Sequence, residues 1–194
     1  MIKHLLYLHG FRSSPQSYKA QFLSKLFAVR YPLVQWTCPQ LPPSPQEAAD
    51  LILALTQGWS SDSSAVIGSS LGGFYADWLA RTKGFKSVLI NPATDPARDL
   101  EHYIGQQTSW QIPTESFYFK EQYLTELTSL YPLKTSEPLN ARQLLMACTG
   151  DEVLNWQEMV SAHPEAVHHI VSGSDHAMSD FDQHVGVLLD FLEL

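Results

Sequence analysis

The sequence predicts an α/β fold, with about six strands in a mostly parallel sheet and helices on both faces. Short apolar runs of strand length alternate along the chain with longer segments of helical spacing. This alternation is typical of parallel strands joined by right-handed helical crossovers. The first run, "HLLYLHG", is continuously apolar, which is the pattern of a strand buried in a parallel sheet.

Composition agrees with one globular domain spanning residues 1–194. Hydrophobic residues make up 44% of the chain and charged residues 16%, which excludes a disordered protein and leaves enough apolar surface for a sizeable core. The formal net charge is −8 and no basic run occurs. We therefore expect no nucleic-acid partner.

The chain carries no segment that predicts export or membrane insertion. Its first apolar run is too short for a signal peptide, and nowhere do about 18 uninterrupted apolar residues occur. The two cysteines, Cys38 and Cys148, each lie within or beside an apolar run. We expect buried thiols and no disulfide, and a cytoplasmic location.

Six runs predict the strands of the sheet, and five segments between and after them predict helices. In chain order the strand runs are "HLLYLHG", "LVQWTC", "SSAVIGS", "KSVLINP", "RQLLMACTGD" and "AVHHIVSGSDH". The first helical segment, "PQSYKAQFLSKLFAVRY", places Tyr18, Phe22, Leu26 and Val29 near helical spacing. The second helix is expected to begin at Ser44-Pro45, and the third to end at Gly84. The fourth covers about residues 153–162, and "DFDQHVGVLLDFLEL" closes the chain.

Residues 96–139 interrupt this alternation. The segment contains no clear strand but is rich in aromatic residues. Because so long an insertion is unusual inside a compact α/β domain, we expect a small helical lid or cap. The alternative is a set of extra helices that cover one edge of the sheet.

In open parallel sheets, ligands bind beyond the carboxyl ends of the strands. Reactive residues just after each strand are therefore the candidates for the functional site. After the third strand, Gly68-Ser69-Ser70-Leu71-Gly72 matches G-x-S-x-G, the pattern of a nucleophile elbow between a strand and a helix. The residues two before and two after the nucleophile must be small. Centring the pattern on Ser69 would put Ile67 and Leu71 there, so the spacing selects Ser70.

Two other interpretations of this glycine-rich turn compete with the elbow. A phosphate loop is excluded because no Lys-Ser/Thr pair follows and the spacing is not G-x-G-x-x-G. An ordinary strand-to-helix turn eased by glycine remains open.

A serine nucleophile needs a base, and the base needs an orienting carboxylate. His176 lies in a polar loop directly after the last strand, and Asp151 follows the fifth strand. The order serine, acid, histidine is that of the α/β-hydrolase fold. Glu152 and Asp175 are rival acids, each beside one of the two candidates.

The negative charge that forms on the carbonyl oxygen during attack needs backbone N–H donors. We expect one from Leu71 and a second from Phe11, in the loop after the first strand. His9 is expected to shape that loop. Arg12, His9 and Asn91 are possible substrate contacts at the same edge of the sheet. The histidines and acids show no metal-binding helix spacing, so we expect neither metal nor cofactor.

The segments "PQLPP", "IGSSLGGFYADWL", "NPA", "TGDEVL" and "DHAM", together with "LLYLHGF" near the start, resemble the YqiA-type esterases, small bacterial proteins of the α/β-hydrolase fold. The resemblance covers nearly the whole chain and is weakest in the insertion. It implies that Ser70, Asp151 and His176 form the catalytic triad. It also implies hydrolysis of carboxylic esters, with acyl thioesters as a further substrate class.

Residues and resemblance together predict a serine hydrolase that acts on a small-molecule acyl ester or thioester. Two alternatives stay open. One is a binding or scaffold protein that keeps the elbow without turnover, and the other is an acyltransferase in which an alcohol replaces water. The sequence does not predict an oligomeric state.

Overall fold

The computed structural model of the protein describes residues 1–131 and 142–194. Eight strands lie within these residues: β1 (His4–Leu8), β2 (Gln35–Thr37), β3 (Ser64–Ser69), β4 (Lys86–Ile90), β5 (Gly105–Thr108), β6 (Ser116–Phe119), β7 (Gln143–Cys148) and β8 (Val167–Val171). Six of them form one sheet in the order β2-β1-β3-β4-β7-β8, and every pair in it is parallel. All six correspond to the apolar runs that predicted strands.

Seven α-helices accompany the strands within the described residues: α1 (Tyr18–Arg30), α2 (Pro45–Leu55), α3 (Leu71–Lys83), α4 (Pro96–Leu100), α5 (Gln122–Ser129), α6 (Trp156–Ala162) and α7 (Phe181–Leu192). Helices α1 and α7 pack on one face of the sheet, and α2, α3 and α6 pack on the other. The predicted ends hold where local chemistry sets them. The Ser44 hydroxyl accepts a hydrogen bond from the Glu47 N–H at the start of α2, and Gly84 ends α3 with φ 72°.

Helix α1 forms where the sequence predicts a helix, but the residues that show the helical spacing do not all lie on its buried face. Tyr18 and Val29 are 54% and 81% exposed, and the buried positions include Lys19, Leu23 and Phe27. Apolar residues occur on more than one face of this helix, so spacing alone did not identify the buried one. The buried face begins with Lys19, a charged residue, so it does not read as an apolar pattern in the sequence.

The strand register aligns the carboxyl ends of the central strands. Leu8 of β1 pairs with Gly68 of β3, Ser69 of β3 with Ile90 of β4, and Cys148 of β7 with Val171 of β8. The loops that follow these strands therefore leave the sheet along one edge. Every candidate site residue lies in one of those loops or at the end of such a strand.

The insertion contains helices, as expected, and also an antiparallel hairpin that the sequence analysis did not predict. Strands β5 and β6 pair over four residues each, from Gly105 opposite Phe119 to Thr108 opposite Ser116. The runs "GQQT" and "SFYF" are too short and too mixed in polarity to stand out, so the pairing depends on tertiary contacts. Residues 132–139 of the expected lid lie outside the described residues.

Both cysteines are free thiols, Cys148 buried and Cys38 half-buried. Burial raises the pKa of the Cys38 thiol to about 12. Across residues 1–131 and 142–194, none of the helices has the length and hydropathy that a membrane crossing requires.

Candidate active site

Ser70 occupies a strained turn between β3 and α3. Its backbone has φ 57° and ψ −122°, a conformation that L-residues rarely adopt. The Ser70 carbonyl accepts hydrogen bonds from the N–H groups of Gly73, Phe74 and Ala93, and its N–H donates to Ile90. These contacts hold the turn in place and lift the hydroxyl above the end of the sheet.

The glycines of the turn are required by close backbone packing. A Cβ at Gly68 would lie 2.0 Å from the Gly72 carbonyl oxygen, and one at Gly72 would lie 2.0 Å from the Leu8 carbonyl oxygen. Neither distance is possible for real atoms. Gly10 approaches from the loop after β1, where a Cβ would stand 3.1 Å from the Ser70 Cβ. The motif thus lets three backbone segments meet around one serine.

The side chains of Ser70, His176 and Asp151 form a continuous hydrogen-bonded chain. The His176 Nε2 lies 3.0 Å from the Ser70 Oγ, and its Nδ1 lies 2.8 Å from the Asp151 Oδ2. The Asp151 carboxylate is fully buried, and its other oxygen accepts hydrogen bonds from the N–H groups of Val153 and Leu154, each at 2.8 Å. With these donors the carboxylate needs no other counter-charge and can orient the imidazole.

The two rival acids make other contacts. The Glu152 carboxylate accepts a hydrogen bond from the backbone N–H of His176 at 2.9 Å, not from its ring. The Asp175 carboxylate turns to Ser179, accepting from its N–H and its hydroxyl, and the Ser179 hydroxyl lowers the pKa of Asp175. Asp151 is therefore the acid on the imidazole in this structure.

The loops that carry Asp151 and His176 are joined directly. The Gly150 N–H donates to the Gly173 carbonyl at 3.1 Å, and the Gly173 N–H donates to the Thr149 hydroxyl at 2.8 Å. A Cβ at Gly150 would lie 2.3 Å from the Ser174 carbonyl oxygen. The glycine before Asp151 thus allows the two loops to touch, which brings acid and base within contact.

The backbone N–H groups of Phe11 and Leu71 are the two expected oxyanion donors. Among residues 1–131 and 142–194, neither N–H has a hydrogen-bond partner. Leu71 follows Ser70 directly, and the close approach of Gly10 to Ser70 places Phe11 beside the elbow. Both donors are therefore available to a carbonyl oxygen at Ser70.

Aromatic residues of the insertion pack on Phe11, in the loop after β1. The Phe11 ring makes edge contacts with Tyr103, Phe117 and Phe119 at centroid distances of 5.4, 5.9 and 5.2 Å. Much of the aromatic content of the insertion therefore fixes Phe11 in place. Trp110, by contrast, is 64% exposed and lies on the Arg12 guanidinium at 4.0 Å.

A cavity of about 850 Å³ opens at Ser70 and His176. Its apolar wall is formed by side chains of the elbow, the loop after β7 and the insertion, including Leu71, Leu100, Tyr103, Trp110 and Leu154. Its other lining residues include Tyr7, Ser17 and Lys19. The volume is that of a pocket for a small molecule.

Of the three possible substrate contacts, only Arg12 lines the cavity. Its side chain donates hydrogen bonds to the Thr108 carbonyl and hydroxyl, which joins the loop after β1 to strand β5. His9 is buried, with Nδ1 on the Gly10 carbonyl and Nε2 accepting from the Leu41 N–H, and burial lowers its pKa. These two contacts tie the loop after β1 to Leu41, and only 4% of His9 is exposed.

Asn91 is fully buried, so the structure corrects its assignment as a substrate contact. Its amide nitrogen donates to the carbonyls of Asp175 and His176 at 3.1 and 3.0 Å, and its oxygen accepts from the Cys148 N–H at 2.8 Å. Position after a strand end placed Asn91 at the correct edge of the sheet. It did not reveal that the side chain points back at the histidine loop.

Lys19 is the residue of this region that the sequence analysis missed. It is 8% exposed, lines the cavity and donates a hydrogen bond to the Ala177 carbonyl, next to His176. A signal was present, because Lys19 stands four and eight residues before Leu23 and Phe27, on the buried face of α1. A lysine in such a pattern indicates a buried cation.

Comparison with known proteins identifies the family of the chain. The model of the Uncharacterised protein family (UPF0227) matches residues 4–193. A match over nearly the whole chain confirms the resemblance carried by the motifs.

Solved structures share the architecture at low sequence identity. A protein from Agrobacterium vitis S4, provisionally assigned as a hydrolase, is 18% identical with a TM-score of 0.76, over 97% of this chain and 87% of the other. Est1E from Butyrivibrio proteoclasticus is 13% identical with a TM-score of 0.73, over 100% and 89%. Alpha/beta hydrolase domain-containing protein 10 from mouse is 14% identical with a TM-score of 0.70, over 97% and 90%. The fold is therefore that of the α/β hydrolases.

Proposed function

Because the chain belongs to the Uncharacterised protein family (UPF0227), the family of the YqiA-type proteins, and joins Ser70 to His176 and Asp151 by hydrogen bonds, we propose that it is a serine hydrolase of carboxylic esters or acyl thioesters. The contact of 3.0 Å between the Ser70 Oγ and the His176 Nε2, at a strained elbow, is the observation that carries the proposal. The esterases among proteins of the same architecture support it.

In the first half of the reaction, the Ser70 oxygen attacks the acyl carbon while the His176 Nε2 takes the serine proton. The carbonyl oxygen becomes negatively charged and accepts hydrogen bonds from the N–H groups of Phe11 and Leu71. The bond to the leaving oxygen or sulfur then breaks, and His176 returns the proton to that atom. The product is an acyl ester on Ser70.

In the second half, water attacks the acyl-enzyme and His176 takes a proton from it. The same N–H groups bind the oxyanion, the bond to Ser70 breaks, and the serine regains its proton from His176. Asp151 holds the imidazole with Nδ1 protonated throughout, and stabilises the imidazolium that forms twice per cycle.

Hydrolysis of p-nitrophenyl butyrate and of a butyryl thioester tests the proposal. We expect Ser70→Ala to lower kcat/KM by about 10³-fold or more, since it removes the nucleophile. Ser69→Ala is the matched control and should retain more than about a tenth of the wild-type rate. Equal rates for wild type and Ser70→Ala would overturn the proposal. Formation of a butyrate ester in the presence of an added alcohol would indicate acyl transfer, and binding without turnover a scaffold protein.

A further inference from the structure

Lys19 is a buried cation without an ion-pair partner. Among the described residues it is the one buried lysine or arginine. No carboxylate oxygen lies within 4.0 Å of its ammonium nitrogen. Its one hydrogen bond goes to the Ala177 carbonyl, which leaves two N–H donors. Burying a charge without a counter-ion is costly, so such a group calls for an explanation.

The nearest carboxylates do not supply the missing counter-ion. Asp151 and Asp175 act on Lys19 only through space. The Asp151 oxygens are taken by His176 and two backbone N–H groups, and those of Asp175 by Ser179. These carboxylates raise the pKa of Lys19, but burial lowers it by more, to about 8. The side chain is therefore still mostly an ammonium ion at pH 7.

A second polar group without a partner lies two residues earlier. Ser17 precedes the first residue of α1, yet its hydroxyl caps no backbone N–H. The oxygen is inaccessible to solvent and has no hydrogen-bond partner among the described residues. No acidic residue occupies the first turn of α1, so nothing there offsets the partial positive charge of the helix start.

Tyr7 completes this end of the cavity from the sheet. Its side chain is buried, and burial raises the pKa of the phenol by more than the neighbouring Ser69 and Ser17 hydroxyls lower it, so the phenol stays protonated and can donate one hydrogen bond. Tyr7, Ser17 and Lys19 line the same cavity as Ser70 and His176. Lys19 and Tyr7 thus bring an ammonium ion and a phenol to the cavity where substrate would bind, while the Ser17 hydroxyl is enclosed at the start of α1.

We propose that Lys19 and Tyr7 form a carboxylate subsite, so that the substrate is an ester carrying a free carboxylate. The inference rests on the proposed hydrolase function and narrows its substrate class. The substrate carboxylate takes the position of the missing counter-ion of Lys19 and accepts a hydrogen bond from the Tyr7 phenol. It takes no part in bond breaking, and orients the ester towards Ser70.

Paired esters of nearly equal size test the subsite. Monoethyl glutarate against ethyl pentanoate places the charge on the acyl side, and carboxymethyl butyrate against propyl butyrate places it on the alcohol side. The readout is the ratio of kcat/KM for the charged ester to that for the neutral one. We expect a ratio above about 10 in at least one pair, because charge-assisted hydrogen bonds are the strong ones.

Variants then assign the preference to the subsite. Lys19→Met should lower the ratio at least about tenfold, and Tyr7→Phe by a smaller factor. Lys25→Met removes an exposed lysine from the same helix and should leave the ratio unchanged. Any general effect of Lys19 on the His176 loop cancels in the ratio, because both esters of a pair use the same His176. A ratio that is the same in wild type and Lys19→Met, for both pairs, overturns the subsite.

Equilibrium binding decides the matter independently of turnover. Calorimetric titration of monoethyl glutarate and of carboxymethyl butyrate into Ser70→Ala should give, for at least one of them, a Kd about tenfold lower than titration into Ser70→Ala/Lys19→Met. Equal Kd values for both esters would refute the subsite even if no ester is hydrolysed. Conversely, loss of the charge preference with intact hydrolysis of neutral esters would leave the proposed function standing and the subsite refuted.

Discussion

Asn91 holds the backbone of the candidate catalytic histidine. It has φ 41° and connects β4 to both loops of the site, through the carbonyls of Asp175 and His176 and the N–H of Cys148. The His176 N–H is held separately by Glu152 and the next carbonyl by Lys19. Three different segments therefore fix the peptide groups around one imidazole.

Asn91→Asp separates this positioning role from substrate binding. Aspartate keeps the acceptor for Cys148 but replaces two donated hydrogen bonds with repulsion between oxygens. Because Asn91 has no exposed surface, we expect kcat to fall about 10- to 100-fold while KM stays within about threefold. Steady-state kinetics on p-nitrophenyl butyrate provide the measurement. Asn155→Asp, the same change at an exposed helix cap, is the control, and a rise in KM at constant kcat would argue against positioning.

Lys19 should lower stability at neutral pH. Its pKa of about 8 lies below the ordinary 10.5, so the folded protein binds its proton less tightly than the unfolded chain does. The resulting penalty, about 3 kcal/mol, is complete below pH 8 and is relieved as the pH rises towards 10.5. Asp151, Asp175 and Cys148 are the charged or titratable groups that oppose it.

We therefore expect Lys19→Met to unfold with a larger free energy than wild type at pH 7, with the difference shrinking by pH 10. The lost hydrogen bond to Ala177 offsets part of the gain. Urea unfolding at pH 7, 8.5 and 10 measures the difference, with Lys25→Met as control. A Lys19→Met variant that is less stable, by the same amount at every pH, would contradict the account.

The junction of β3 and α3 has no room for a side chain at Gly68 or Gly72. Gly72→Ala would press its Cβ against the Leu8 carbonyl of the neighbouring strand, so we expect a loss of more than about 3 kcal/mol or failure to fold. In Gly186→Ala an exposed glycine within α7 gains a Cβ that meets nothing within 4 Å. It should gain up to about 1 kcal/mol from helix propensity. Thermal unfolding of both variants tests the contrast, and equal melting temperatures would contradict it.

Burial explains which strands and helices could be predicted from the sequence. The four central strands β1, β3, β4 and β7 are buried on both faces, so their apolar runs stand out without reference to tertiary structure. The β5–β6 hairpin and the buried face of α1 were not predicted. Short strands of mixed polarity and a helix with apolar residues on several faces take their final arrangement from neighbours that sequence spacing does not specify.

Across the whole sheet, the strand order brings together loops that are far apart in the sequence. Strands β1, β3, β4, β7 and β8 lie side by side, so the loops with Phe11, Ser70, Asn91, Asp151 and His176 form one row. A position after a strand end was therefore enough to nominate all five from the sequence. The direction in which each side chain points was not available, which is why Asn91 was assigned to substrate and Lys19 was overlooked.

In the proposed reaction, Ser70 is a nucleophile activated by His176 and Asp151. Labelling with a fluorophosphonate probe, followed by mass mapping of the modified peptide, tests this role, because the probe reacts with an activated serine. We predict one adduct, on Ser70, with labelling abolished in Ser70→Ala and slowed by about 10³-fold in His176→Ala. An unlabelled wild-type protein, or an adduct on Ser69 or elsewhere that survives Ser70→Ala, would contradict the account.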